Sequence, residues 1–263
     1  MAGAATEGDD ARLGRIRDAF TRQAESFARH AAIADVSVED RFRRALGPAG
    51  KGRVLDVACG PGVVTAAVAA DATEAVGLDA TEAMLAKARE TAAKAGRTNV
   101  RFEVGDAEAL PFADAGFDAV VTRLAIHHFA RPDRALAEMH RVLKPGGRLV
   151  VVDVVSSDDP ENAALHNAIE ILRDPSHVRM LPAEELDAAI AAAGFKDLAT
   201  ETWDKDRAFG EWMGIVNDPG LNAPLGVVVR ALAERGADAG IGLRLEAGEV
   251  RFFHRWRLVA ANR

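Results

Sequence analysis

Between residues 53 and 155 short apolar segments alternate with helical ones, and this alternation constrains the fold more than any other feature of the chain. "RVLDVA" is followed by the helical "VVTAAVAADA", "EAVGLD" by "TEAMLAKARETAAKAG", and "NVRFEVGD" by a loop. "FDAVVTR" is then followed by "RPDRALAEMHRVLKPGG", and "RLVVVDVV" by another helical region. Strands spaced by helices imply βαβ units and a parallel sheet. Right-handed crossovers place the helices on both faces. The expected class is therefore α/β, a doubly wound and mostly parallel sheet. Boundary residues agree. Thr81 with Glu82 can cap the helix after the second strand and Gly96 can end it. Leu143 to Gly147 stops a later helix before the fifth strand.

The flanks read differently. From about residue 11 to 46 the pattern is helical, with Ile16, Phe20 and Phe27 on one stripe. After residue 156, helical stretches near 161–172 and 182–193 precede a strand-like segment around 196–203. A helical region at 222–236 then leads to a long final strand, "EVRFFHRWRLVAAN". Three parts are expected: an N-terminal helical lid (1–46), a ligand-binding core (47–155), and a cap insertion that also completes the sheet (156–263). The 33 Lys and Arg against 40 Asp and Glu give a net charge of -7, which argues against a nucleic-acid partner. Cys59 is the single cysteine, excluding an internal disulfide and a cysteine metal cluster. No apolar run spans a bilayer, and the N-terminus lacks the pattern of a secretory signal. A cytoplasmic monomer or homodimer without a membrane partner is expected.

In an open α/β sheet the ligand crevice lies beyond the carboxyl ends of the strands. Asp56, buried in "RVLDVACGPG", stands just before Gly60-Pro61-Gly62 at such an end. A carboxylate there costs several kcal/mol unless the protein or a ligand satisfies it. A dinucleotide phosphate suits such a loop poorly: Thr65 replaces the third glycine, Pro61 removes an amide donor, and Asp56 repels anions. A ligand with ribose, adenine and a cationic amino-acid end suits it better, and S-adenosylmethionine has that description. Asp79 closes the second strand, where it can accept ribose hydroxyls or cap the next helix. Asp106 and Ala107 close the third, able to read an adenine edge; a solvated loop acid is the alternative.

These segments resemble the class I S-adenosylmethionine-dependent methyltransferases, closely over 50–155 and loosely elsewhere. "VLDVACGPG", "GLDATEAMLAKAR", "VGDAEALPFADAGFDAV", "TRLAIHHF" and "VLKPGGRLVVVDVV" occur in that family's order. The nearest branch resembles the ubiquinone/menaquinone-biosynthesis methyltransferases, whose cofactor-covering helix is similar to "FTRQAESFARH". The resemblance implies a seven-stranded, Rossmann-like sheet with a helical cap after the fifth strand. It implies that Asp56 and Gly60 lie near the methionyl end and that Asp79 holds the ribose. Met84 would pack on the adenine, Asp106 and Ala107 would meet its edge, Arg123 would neighbour the ammonium group, and Ala58, Ala80 and Gly105 would also belong to the cofactor site. Phe20 and Gln23 would lid the site.

Methyl transfer from a sulfonium is an in-line displacement in which positioning supplies much of the catalysis. A hydroxyl or carbon acid also benefits from a base, and histidine titrates near neutrality. Candidates are His127, His128, Asp153, His166 and His177, with His127, His128 and His177 preferred. His127 and His128 follow the fourth strand directly, and as neighbours they are expected to point apart, so that at most one faces substrate. No metal site is expected at this pair. The chain has no tyrosine and hence no tyrosine base. Its single cysteine excludes the multi-cysteine arsenic branch. No Asn/Asp-Pro-Pro-aromatic motif follows the fourth strand, which disfavours DNA or amide-nitrogen methylation. The expected acceptor is a small molecule methylated at oxygen, nitrogen or carbon, an aromatic metabolite being one class. An NAD-dependent oxidoreductase and a non-methylating member of the same fold are the competing readings.

Overall fold

The computed structural model describes residues 14, 17, 18, 20–25, 36–216 and 219–263. Residues 20–25 are helical, so Phe20 is placed, while Ile16 and Phe27 lie outside the described residues. The strands are β1 (Arg53–Val57), β2 (Glu74–Asp79), β3 (Val100–Val104), β4 (Phe117–Arg123), β5 (Leu143–Val155), β6 (Lys196–Ala208), β7 (Arg244–Glu246) and β8 (Glu249–Asn262). The helices are α1 (Val36–Leu46), α2 (Val63–Val68), α3 (Glu82–Lys94), α4 (Pro132–Val142), α5 (Pro160–Arg173), α6 (Ala183–Ala192), α7 (Phe209–Val216) and α8 (Pro219–Glu234).

Seven strands run in the order β3-β2-β1-β4-β5-β8-β6, with β7 paired to β8 alone. Neighbours from β3 through β5 are parallel, and only β8 runs against β5 and β6. The mostly parallel seven-stranded sheet expected from the sequence is present. Its centre is apolar on both faces. Leu55, Val57, Val120 and Val151 pack with Leu136 and Met139 of α4 on one side. Val54, Ala119, Val121 and Val150 pack with Phe42 of α1 and Val64 of α2 on the other. Each such Leu or Val contributes about 1.5–3 kcal/mol by leaving water. Two covered faces explain why the strands read as near-continuous apolar runs.

A third cluster lies beyond the sheet's last strands and joins α5, α7, α8 and β8 through Ile169, Phe209, Trp212, Leu225 and Phe252. The sequence pattern does not foresee α7 or β7, and it ends β6 five residues early. The β7–β8 hairpin turns on Ala247 and Gly248, both at positive φ (50° and 82°), between the paired Glu246 and Glu249. Ala-Gly is a weaker hairpin signal than Asn-Gly, which explains the miss. Among the described residues no helix is long and apolar enough to cross a membrane.

Candidate active site

β1 drives Asp56 into the interior, where it is 1% exposed. The protein itself supplies a partner: Thr65 Oγ1 donates to Asp56 Oδ2 at 2.6 Å. Burial pushes the Asp56 carboxyl up to about 7, against the opposing Thr65 hydrogen bond and the Arg123 charge. Thr65 thus has a positive role where a dinucleotide loop would place a glycine. The sequence reading missed it, treating Thr65 only as a missing glycine.

The turn after β1 is left-handed at Ala58 (φ 56°), Gly60 (φ 52°) and Gly62 (φ 77°). A Cβ on Gly62 would stand 2.7 Å from Ala88 Cβ and 2.9 Å from Ala88 Cα, so this glycine lets the loop dock on α3. A Cβ on Gly60 would meet nothing within 4 Å. Gly60 therefore presents bare backbone to open space, a cradle that suits a ligand. Cys59 is buried, and burial raises its thiol well above the ordinary value, so it is a packing residue and no nucleophile.

Asp79, at the end of β2, knits this loop to α3. Its Oδ2 accepts the Gly60 amide at 2.9 Å, and its Oδ1 accepts the Thr81 amide and hydroxyl at 3.0 and 3.1 Å. Burial raises the Asp79 carboxyl while these donors pull it back. The α3 cap is Thr81 itself, which accepts the Met84 amide. Two carboxylate oxygens still have lone pairs for further donors. Ala80 is partly exposed beside them.

Gly105 follows β3 and donates its amide to Asp79 O at 2.9 Å. Asp106 is partly exposed and accepts the Glu108 amide at 2.9 Å. Ala107 is buried, and so is Met84. Arg123 closes β4 with its guanidinium 5.9 Å from the Trp256 ring. Gln23 is 7% exposed, and its Oε1 has no hydrogen-bond partner. A buried amide oxygen in that state, the bare Gly60 backbone and the Asp79 acceptors fit a ligand rich in hydroxyl and ammonium donors.

The three candidate histidines converge. The His127 ring centroid lies 4.2 Å from that of His128 and 5.2 Å from that of His177, and His128 and His177 are 6.1 Å apart. The expectation that His127 and His128 point apart is overturned. They sit in a short 3-10 turn, Ile126–His128, rather than on a strand, so successive side chains need not alternate. The loop carrying His177 folds onto this turn: the Val178 and Arg179 amides both donate to His127 O. Phe20 meets His128 edge to face at 5.0 Å.

Each ring has its own anchor. His127 Nδ1 lies 2.5 Å from Asp153 Oδ1, and the His127 amide donates to Asp153 Oδ2 at 3.3 Å. His128 Nδ1 lies 3.0 Å from the Ser176 carbonyl, an acceptor, so we assign the proton to Nδ1 and the lone pair to Nε2. Asn167 Oδ1 accepts the Met180 amide at 2.7 Å, which fixes that amide's orientation. His177 Nε2, 3.1 Å from the same oxygen, then carries the ring proton. Asn167, Asp174 and Ser176 escaped the sequence reading, because nothing local in "LHNAIEILRDPSHVR" marks which polar residue turns inward.

Charge separates the rings. Burial alone would lower His127, but the charge and hydrogen bond of Asp153, helped by Glu170 and Asp174, raise it above its ordinary 6.5. Burial and the neighbouring His127 cation lower His128 to about 4 and His177 to about 3. His127 is thus the ring that holds a second proton most readily, beside two neutral imidazoles, a set able both to donate to and to accept from a polar ligand.

A parallel sheet with one reversed strand inside its edge, and with its polar groups gathered at the carboxyl ends, defines the class I S-adenosylmethionine-dependent methyltransferase fold. The methyltransferase-domain family matches residues 49–207, and the chain belongs to it. Its cofactor is accordingly S-adenosylmethionine. The chain is 34% identical over 161 residues to YcgJ of Bacillus subtilis, an uncharacterized methyltransferase, covering 61% of this chain and 64% of that one. The crystal structure of YcgJ superposes with a TM-score of 0.79 at 28% identity, covering 87% of this chain and 99% of that one. The O-methyltransferase cnsE of Penicillium expansum is 35% identical over 166 residues, covering 60% and 59%. The demethylmenaquinone methyltransferase of Clavibacter sepedonicus is 28% identical over 204 residues, covering 76% and 80%. By sequence alignment the chain thus covers under two thirds of the length of YcgJ and of cnsE.

Proposed function

We propose that this protein methylates a small molecule at a hydroxyl oxygen or an acidic carbon, with His128 or His177 taking the acceptor's proton. The observation that carries the reading is the histidine cluster after β4, beside the glycine turn after β1. These two strands are parallel neighbours, so both features lie on one rim. When bound, the cofactor supplies the electrophilic methyl group.

The chain's own residues do the rest. Asp79 accepts hydroxyl donors of the cofactor, the bare Gly60 backbone admits its methionyl end, and Asp106 with Ala107 faces its base. Asp56 and Arg123 set the charge near the ammonium end, and Gln23 Oε1 accepts from the ligand. The neutral His128 and His177 offer lone pairs to an acceptor proton, and His127, its Nδ1 held by Asp153, donates from Nε2 to an acceptor oxygen and orients it when protonated there. Phe20 on His128 supports a lid role for residues 1–46 over a core at 47–155, with 156–263 as cap and sheet completion.

Two relatives point the same way by their names, one to oxygen and one to a quinone-type acceptor. The test is calorimetry with S-adenosylmethionine, S-adenosylhomocysteine and NAD, followed by product mass from a metabolite library. Binding of the first two without NAD, and a product heavier by one methyl, is expected. NAD binding alone, or a product of unchanged mass, overturns the reading.

A further inference from the structure

A second polar cluster lies outside the site described above. His166 and Glu170 stand one turn apart on α5, and His254 of β8 faces them across the interior. All are buried: His166 is 1% exposed, Glu170 3% and His254 6%. Glu170 Oε1 lies 3.0 Å from His254 Nε2 and 3.7 Å from His166 Nε2. One potential ligand atom from each residue falls within 4.8 Å of the others.

His166 has the feature that needs explaining. Neither of its ring nitrogens has a hydrogen-bond partner, although the side chain is buried. A buried polar group in that state is costly unless something else engages it. A small cavity of about 10 Å³ opens on the apolar side of His166 and Glu170, with Ile169 and Trp212 among its walls and His254 outside them.

We propose that His166, Glu170 and His254 form a site for one divalent transition-metal ion of the zinc type. Metal–ligand bonds of about 2.0–2.1 Å in a tetrahedral shell set ligand atoms about 3.3 Å apart. The observed 3.0 and 3.7 Å bracket that edge. Two imidazoles and one carboxylate select zinc-like ions over magnesium or calcium, which prefer oxygen shells. Arg173 binds Glu170 Oε2 at 3.2 Å, which orients the carboxylate and leaves Oε1 toward the imidazoles. The ion would clamp α5 to β8. Asn167, the neighbour of His166, holds His177, so the clamp also supports the histidine cluster from behind.

The test uses tag-free, chelator-stripped full-length protein titrated with Co²⁺, whose visible bands report its ligands. One equivalent should bind with ligand-field absorption, and Zn²⁺ should abolish that absorption by competition. His166→Phe, which removes no hydrogen bond, should keep the fold by circular dichroism and weaken Co²⁺ binding at least about tenfold. His254→Gln should do the same. His177→Ala should bind Co²⁺ as the wild type does. No Co²⁺ absorption in the wild type overturns the proposal. So does undiminished binding in folded His166→Phe, or binding lost in His177→Ala, which would place the ion at the other cluster.

Discussion

The Asp153 carboxylate holds His127 twice, taking its backbone amide on one oxygen and its ring Nδ1 on the other, the latter at 2.5 Å. A 3-10 turn following β4 is thereby locked to the end of β5. Because burial is the largest influence on His127 and Asp153 the main force against it, Asp153→Asn should reverse the shift and drop the imidazole below 6.5. Histidine proton NMR across a pH titration reads this directly. The raised wild-type value stabilises the fold fully below pH 6.5, and that contribution fades as pH rises through the raised value. Asp153→Asn should lack it. A variant whose His127 still titrates above 6.5 would remove Asp153 as the cause.

Asp79 joins three donors from two elements. Asp79→Ala should weaken S-adenosylmethionine binding by about 1.5–3 kcal/mol, the range for hydrogen bonds to a charged group. Calorimetry on protein shown to be folded tests it. Unchanged affinity would leave Asp79 with only its role in joining the glycine loop to α3.

Gly60 and Gly62 should respond differently to alanine. Each substitution costs about 1–2 kcal/mol for left-handed backbone. At Gly62 the new methyl also meets Ala88 at 2.7 Å, so Gly62→Ala should lower the denaturation midpoint much further. At Gly60 it meets only open space, so Gly60→Ala should stay folded and lose cofactor affinity. Equal stability losses with equal cofactor affinity would contradict the cradle.

Acid should unfold the protein partly through His177. Its imidazole is lowered to about 3, so between pH 6.5 and about 3 the unfolded chain binds a proton that the native state refuses. Stability then falls as pH falls, by about 1.4 kcal/mol per pH unit for that one group. His177→Gln should remove this part of the slope in denaturant titrations at stepped pH. An unchanged slope would mean that His177 takes up its proton in the native state.

The sheet was legible because both faces of its central strands are apolar, which turns β1, β4 and β5 into near-continuous apolar runs. The crevice was legible too, since Asp56, Asp79 and Asp106 stand at or just past the carboxyl ends of β1, β2 and β3. Three things were not. Thr65 reads as an absent glycine until its hydroxyl is seen on Asp56. The 3-10 turn that gathers His127 and His128 has no periodic signature in three residues. Meetings such as His177 with Asn167, or His254 with Glu170, depend on how α5 lies against its neighbours, and no local pattern encodes that docking.

The histidines decide the mechanism. If the acceptor is a hydroxyl or carbon acid, His128→Ala or His177→Ala should lower turnover by about 10²–10⁴-fold while cofactor affinity barely moves. Because these rings are lowered to about 4 and 3, they stay neutral through the physiological range. A base of this kind leaves no limb near pH 7 in kcat/KM; its limb lies near pH 3–4, where the fold itself is weakening. A limb above 6.5 would instead belong to His127, whose imidazolium is lost as pH rises. That limb should move to lower pH in Asp153→Asn. If the acceptor is an amine with a free lone pair, positioning suffices and the alanine variants should keep most of their rate. Measuring the variants at saturating cofactor across pH 5–9 separates the cases. Near-wild-type rates in both His128→Ala and His177→Ala would leave proximity as the sole source of catalysis.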